Sequence, residues 1–313
     1  MLLSPTRRVA ALLSCAGLAA LLAGCGSSSN SKDDDNATAS PASGSAVPVV
    51  ASTNVYGDIV ERIGGDRVSV TSIISDPDQD PHSYEANTRN QLALSKAKVV
   101  VENGGGYDDF IDRILKSNGS SAELINAVKV SGRTAPEGGE LNEHVWYDFP
   151  GVARIADRIA AALGKADPDD AATFTKNAET FKDKLTSLRN KEADIKKEHS
   201  GEAIGITEPV PLYLTEASGL VNKTPEDFSE AIEEGDDVSA KVLQETLALY
   251  SDKRVKALVY NEQTSGPQTE KVENAAKKAG IPVVPVTETL PEGKDYLGWM
   301  TDNVDALASA LDK

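Results

Sequence analysis

Two periodicities alternate along most of the chain. From Val47 onward, short β-branched runs give way to segments whose apolar residues recur every three or four positions. "VPVVAST" (Val47–Thr53) predicts a buried strand and "NVYGDIVERIGG" (Asn54–Gly65) an amphipathic helix ended by glycine. "VSVTSII" (Val68–Ile74) predicts a second strand, and "NTRNQLALSKA" (Asn87–Ala97) has helical spacing. "KVVVENG" (Lys98–Gly104) and "YDDFIDRILKS" (Tyr107–Ser117) repeat the pair, and "FPGVARIADRIAAALGKADP" (Phe149–Pro168) carries a helix stopped by Gly164 and Pro168. The second half follows the same rule. Strands are expected in "EAIGIT" (Glu202–Thr207), "VKALVYN" (Val255–Asn261) and "IPVVPVTE" (Ile281–Glu288). Helices are expected in Ser239–Lys253, Gln268–Gly280 and Tyr296–Lys313. Strands interleaved with helices predict βαβ units and mostly parallel sheets.

Between the halves lies a different pattern. Ala171, Phe174, Ala178, Phe181, Leu185 and Leu188 form one stripe at alternating spacings of three and four. Pro168 and the acids after it suit a helix start, and the lysines suit its end. Some thirty helical residues span about 45 Å, enough to run along two domains. A coiled-coil oligomer needs more heptads than are present, so a connecting helix within a monomer is expected. The expected fold class is α/β, two lobes with mostly parallel sheets joined by one long connecting helix. The lobes run 47–167 and 201–313, and the helix runs 168–200.

The N-terminus departs from this pattern. Arg7 and Arg8 precede "VAALLSCAGLAALLAGC" (Val9–Cys25), about as long as a secretory signal's apolar region and short for a transmembrane helix. Its ending "LAGC" resembles a bacterial lipobox. That implies removal of residues 1–24 as a lipoprotein signal peptide and a diacylglyceryl anchor on Cys25. Residues 25–46 are rich in Ser, Gly, Asp and Ala and lack large apolar side chains, so a flexible tether is expected, with Asp33–Asp35 as a solvated spacer. The other cysteine, Cys15, falls inside the leader. The exported domain therefore has no disulfide and no thiolate ligand. The expected location is the outer face of the cell membrane, held there by lipid.

Charge narrows the partners. With 49 acidic and 32 basic residues the formal net charge is −17, which argues against nucleic acid or an anionic surface. It is compatible with a cationic ligand.

Candidate chemistry rests on few residues. Of three histidines, His199 ends the long helix among lysines and reads as solvated. His82, in "SDPDQDPHSYE", follows the second strand, and His144, in "LNEHVWYDFP", precedes a helix start. Neutral imidazole is the commonest protein metal ligand. Glu208 and Glu288 each come directly after a predicted strand, where open α/β folds gather ligands. Pattern alone favours capping or solvation for the two carboxylates, and leaves the two histidines balanced between ligand and loop residue.

The segments "DPHSYEANTRNQLALSKAKVVVENGGGYDDFI", "NEHVWYDFP", "ITEPVPLYLTEASGL" and "IPVVPVTETLP" resemble the metal-binding lipoproteins of bacterial ABC importers, the manganese/zinc solute-binding protein family. The similarity runs from about Val47 to Lys313. It implies two α/β lobes joined by a rigid helix, with a divalent metal held between them as cargo for a permease and its ATPase. Residue by residue, His82 and His144 match the family's two N-terminal ligands. Glu208 matches the third, histidine or glutamate among members, and Glu288 the fourth, usually aspartate. Many zinc-binding members carry a His- and acid-rich loop before the second histidine, whereas Lys129–His144 holds no histidine but His144. Two imidazoles with two carboxylates form a harder set than zinc prefers, so Mn2+ is expected ahead of Zn2+, with Fe2+ a lesser candidate. A metal-dependent hydrolase would need an open coordination position and a general base. The chain has no HExxH and no nucleophile elbow, so an enzyme is not expected. A surface adhesin role has no sequence feature for or against it.

Overall fold

The computed structural model describes residues 46–76, 82 and 84–313. The predicted leader, Cys25 and nearly all of the tether lie outside the described residues. The first lobe runs β1 (Val47–Thr53), α1 (Asn54–Gly64), β2 (Val68–Ile74), α2 (Thr88–Lys96), β3 (Val99–Glu102), α3 (Phe110–Asn118), β4 (Glu123–Asn126), α4 (Ala127–Ser131) and α5 (Phe149–Ala166). Its sheet has the order β2-β1-β3-β4, all parallel, with Val47 opposite Val68 and Val49 opposite Val99. After α6 (Ala171–His199) come β5 (Ala203–Ile206), α7 (Leu212–Ala217), β6 (Val221–Asn222), α8 (Glu226–Glu233), α9 (Ala240–Ser251), β7 (Leu258–Asn261), α10 (Pro267–Ala279), β8 (Val283–Val286) and α11 (Tyr296–Leu311). The second sheet has the order β6-β5-β7-β8 and is also parallel. The α/β class with two parallel sheets and a long helix between them is as the sequence implies.

Local chemistry sets the elements. The central strands β1, β3 and β7 are buried on both faces, which is why they read as unbroken apolar runs instead of alternating ones. Asn87 opens α2 with a reciprocal cap, its side chain accepting from the Asn90 amide while the Asn90 side chain accepts from the Asn87 amide. Gly280 closes α10 in the left-handed conformation, φ 73°.

The structure corrects one detail and adds others. Gly164 does not stop its helix, since α5 runs on to Ala166. A Cβ at Gly164 would sit 3.0 Å from the Ala171 Cβ, so this glycine serves the close approach of the start of α6. Three elements have no strong sequence pattern. β4 is four residues with a single fully buried side chain, β6 is two residues, and α8 is a short acidic helix.

The helix α6 fixes the geometry of the cleft. Phe174, Ala178, Phe181, Leu185 and Leu188 are buried, and the stripe continues to Glu192 and Ile195. It packs on α1, α5 and α11. One apolar core passes through it from lobe to lobe, including Val49, Ile159, Phe181, Ile204 and Trp299. Hydrogen bonds cross the same boundary. The Asn54 side chain donates to the Leu290 carbonyl and accepts from the Leu290 amide, both at 2.9 Å. The Tyr296 hydroxyl donates to the Trp146 carbonyl at 2.7 Å. Among the described residues no helix is long and apolar enough to cross a membrane.

Candidate metal centre

The carboxyl ends of the second sheet converge on the cleft. Glu208 lies two residues past β5 and Glu288 two past β8, while Asn261 is the last residue of β7. From the first lobe, His82 comes from the segment between β2 and α2. His144 immediately precedes a three-residue 3-10 turn, Val145–Tyr147, that leads into α5.

Three of the four ring and carboxylate groups singled out in the sequence come together. The His82 Nε2 lies 3.5 Å from Glu288 Oε2, and the His144 Nε2 lies 3.8 Å from the same oxygen. One donor atom from each of the three residues falls within 4.8 Å of the others. A tetrahedron drawn with metal–nitrogen bonds of about 2.05 Å has edges of about 3.3 Å, so these separations suit a shared ion. Glu208 stands beside this trio and not within it. Its Oε2 accepts from the Asn261 amide at 2.7 Å, and the same amide donates to Glu288 Oε1 at 2.8 Å. The Thr264 hydroxyl donates to Glu208 Oε1. His199 sits apart from the cleft, near Glu202 and Asp312.

Outer hydrogen bonds orient the donors. The His144 Nδ1 is 2.8 Å from Asn142 Oδ1. The Asn142 Nδ2 donates to the Pro209 carbonyl at 3.0 Å and Oδ1 accepts from the His144 amide, so the amide's orientation is settled by its partners. An amide oxygen only accepts, so His144 carries its proton on Nδ1 and presents the Nε2 lone pair to the cleft. On the opposite side, Gln263 Oε1 accepts from the backbone amides of Glu288 and Thr289 at 2.5 and 3.0 Å. The Tyr107 hydroxyl donates to Glu288 Oε2 at 3.1 Å.

Electrostatics follow from burial and proximity. Glu288 is fully buried, which opposes ionisation, yet the His144 and His82 rings hold its carboxyl well below the usual range. Burial alone would lower His82, but Glu288, Glu143 and Glu233 outweigh it and push the ring up to about 9. His144 is raised in the same way against its burial. Glu208 is pushed well up by burial and by the Glu288 charge beside it.

Several residues of the site are missing from the sequence reading. Asn142 lies two positions before His144 inside a quoted motif, and Asn261 ends a predicted strand, so both had a positional signal. Tyr107 likewise lies inside a quoted motif, at the start of a predicted helix, whereas Gln263 and Thr264 had no such signal. Glu233, the last residue of α8, brings its Oε1 to 3.6 Å from the His144 Nε2. The signal for α8 was Pro225 followed by Glu226 and Asp227 in a first turn. Glu233 lines an open cleft of about 1100 Å3, with His82, Glu143 and Glu230 also on its wall.

Comparison with known proteins agrees with this architecture. The model of the family described as the periplasmic component A of the zinc-uptake complex, ZnuA, matches residues 49–310. The manganese-binding lipoprotein MntA of Bacillus subtilis is 27% identical over 305 residues, covering 93% of this chain and 95% of its own. The manganese ABC transporter substrate-binding lipoprotein ScaA of Streptococcus gordonii is 27% identical over 313 residues, covering 93% of this chain and 95% of its own. Among solved structures, the periplasmic zinc-binding protein TroA of Treponema pallidum superposes with a TM-score of 0.71 at 20% identity, over 86% of this chain and 99% of its own. With a family match spanning nearly the whole described domain, the chain belongs to the ZnuA family of periplasmic metal-uptake components.

Proposed function

We propose that this chain captures a divalent transition metal outside the cell and delivers it to an ABC permease driven by an ATPase, as a binding protein and not an enzyme. The observation that carries the reading is the convergence of two imidazoles on one oxygen of a fully buried carboxylate. His82 and His144 supply neutral nitrogen, and Glu288 and Glu208 supply oxygen and cancel the ion's charge. Asn261 holds the two carboxylates together, and in its absence their mutual repulsion would splay them. Manganese is the favoured cargo and zinc the second, because the donor set is rich in oxygen and lacks a third imidazole. The manganese-binding names of the two relatives support that order. The lipid anchor on Cys25 and function as a monomer belong to the same reading. Titration calorimetry of the purified mature chain tests it. Wild-type protein should bind one Mn2+, and His144→Ala should lose that binding while keeping its circular dichroism spectrum. Unchanged affinity in His144→Ala would remove the assignment.

A further inference from the structure

Glu233 is a carboxylate that the four-residue set leaves out, and its surroundings are unusual. The His144 ring is fully buried and its Nε2 has no hydrogen-bond partner. Because Nδ1 holds the proton for Asn142, that Nε2 offers a lone pair. Facing it at 3.6 Å is Glu233 Oε1, which also lacks a hydrogen-bond partner. On its other side is Glu288 Oε2 at 3.8 Å. The His144 Nε2 thus lies between two carboxylate oxygens, Glu233 Oε1 and Glu288 Oε2, and of the three atoms only Glu288 Oε2 has a hydrogen-bond partner, the Tyr107 hydroxyl. Around a buried ring, such an arrangement of lone pairs is repulsive unless a positive species occupies the centre.

The separation of Glu233 from His144 falls between the two that define the inner trio, 3.5 and 3.8 Å. Glu208, in contrast, has both carboxylate oxygens engaged, by Asn261 and Thr264. Glu233 also forms a second close group with His82 and Glu143, their donor atoms all within 4.8 Å. It therefore stands between the open cleft, which it lines, and the buried ring of His144. Being the last residue of α8, it adds its charge to the negative end of the helix dipole.

We propose that Glu233 is itself a metal-coordinating carboxylate, carried by α8 to close the shell from the cleft side and raise the coordination number above four. This rests on the reading that His144 and Glu288 hold the ion. A further oxygen donor favours Mn2+, which accepts high coordination numbers, over Zn2+, which is content with four. Glu233 thereby adds to the preference for Mn2+ that the oxygen-rich family-matched set already gives.

The test uses the purified mature chain with Mn2+, Zn2+ and Co2+ as probes, and compares Glu233→Ala, Glu233→Gln and His144→Ala. Both Glu233 variants should bind Mn2+ at least tenfold more weakly, with a smaller loss for Zn2+. The visible absorption of bound Co2+ should intensify as its coordination number falls toward four. Glu233→Gln keeps the helix and the side-chain shape, so a folding defect would separate it from Glu233→Ala. Manganese affinity within twofold of wild type and an unchanged Co2+ spectrum, with His144→Ala still inactive in binding, would overturn the role of Glu233 alone. An equal loss for both metals with an unchanged Co2+ spectrum would also overturn it, leaving Glu233 as a field charge. Retained binding in His144→Ala would instead overturn the centre on which the proposal stands.

Discussion

Glu288 in the cleft and Glu192 on the connecting helix are both buried carboxylates, 0% and 5% exposed. Burial acts on each in the same direction, against the charged form. Opposite Glu288 stand two imidazole rings, a tyrosine hydroxyl and an asparagine amide, and its carboxyl is held low. Glu192 has no such partners: burial and the Asp148 charge push it up to about 8, against the opposing charge of Arg189 on its own helix. Its Oε1 has no hydrogen-bond partner. A buried carboxylate therefore does not by itself mark an ion site. What marks one is a set of donors that converge, each held by an outer partner.

The sharpest way to break this contrast is to remove a converging ring. Replacing His144 by alanine leaves Glu288 and Glu233 with one imidazole fewer and makes the cleft electrostatically more like the surroundings of Glu192. We expect manganese affinity to fall by more than ~100-fold, beyond the 10–100-fold typical of losing an outer partner. In thermal melts, free Mn2+ at 100 times the dissociation constant should stabilise wild type by about 2.7 kcal/mol and leave His144→Ala unmoved. A metal-dependent shift of equal size in both proteins would end the comparison.

A subtler intervention leaves the ring in place and frees its orientation. Asn142 fixes the His144 proton on Nδ1 and ties the loop to Pro209, while its carbonyl accepts from the Tyr213 hydroxyl at 2.6 Å. Asn142→Ala should weaken Mn2+ binding by about 10–100-fold, the usual scale for an outer-shell partner. Calorimetry against wild type reads this directly. An unaltered dissociation constant would show that packing against Trp146 and Tyr107 alone holds the ring.

How much of this was legible in the sequence differs between elements for physical reasons. β1, β2 and α6 were plain because long apolar runs and a sustained stripe carry their own period, and their bounds follow it closely. β4 and β6 were not, because a strand of two to four residues is made by its neighbours and not by its own pattern. His82, His144 and Glu288 could be named from strand ends and from a family resemblance, yet their convergence on one oxygen is a property of tertiary packing. Glu233 was invisible for a similar reason. In an acidic helix of eight residues nothing distinguishes the carboxylate that faces the cleft from those that face water. Glu192 was hidden in the opposite way, as a polar residue lying on the buried face of an apolar stripe.

The other side of the comparison is tested through stability. Glu192 keeps its proton in the folded chain up to about pH 8, whereas an unfolded glutamate loses it near 4.3. Between those values the native state binds more protons than the unfolded state, so stability falls as pH rises through the window and levels off above it. Replacing Glu192 by leucine should remove that slope and raise stability by about 1–3 kcal/mol at pH 9, with little change at pH 5. Denaturant unfolding in the presence of a chelator, from pH 5 to 9, measures it. Parallel curves for the two proteins would mean that Glu192 is ionised and paired in the folded state.

The smallest expected effect separates the two regions by motion. The face of α6 that buries Glu192 belongs to a core running unbroken through both lobes, and the Asn54–Leu290 and Tyr296–Trp146 hydrogen bonds cross the same boundary. Rotating one lobe against the other would break all of these together, so a large hinge closure is not available to the fold. The cleft side has no such restraint, since Glu233 sits at the end of a short, half-buried helix and reaches His144 without a hydrogen bond. Metal binding should therefore shift the radius of gyration by about 1 Å or less. Amide exchange should slow in α8 and in residues 140–144 while α6 stays as it was. A radius that falls by several ångströms in solution scattering, or new protection along α6 on adding Mn2+, would show that the connecting helix bends and that the two burial sites are mechanically one.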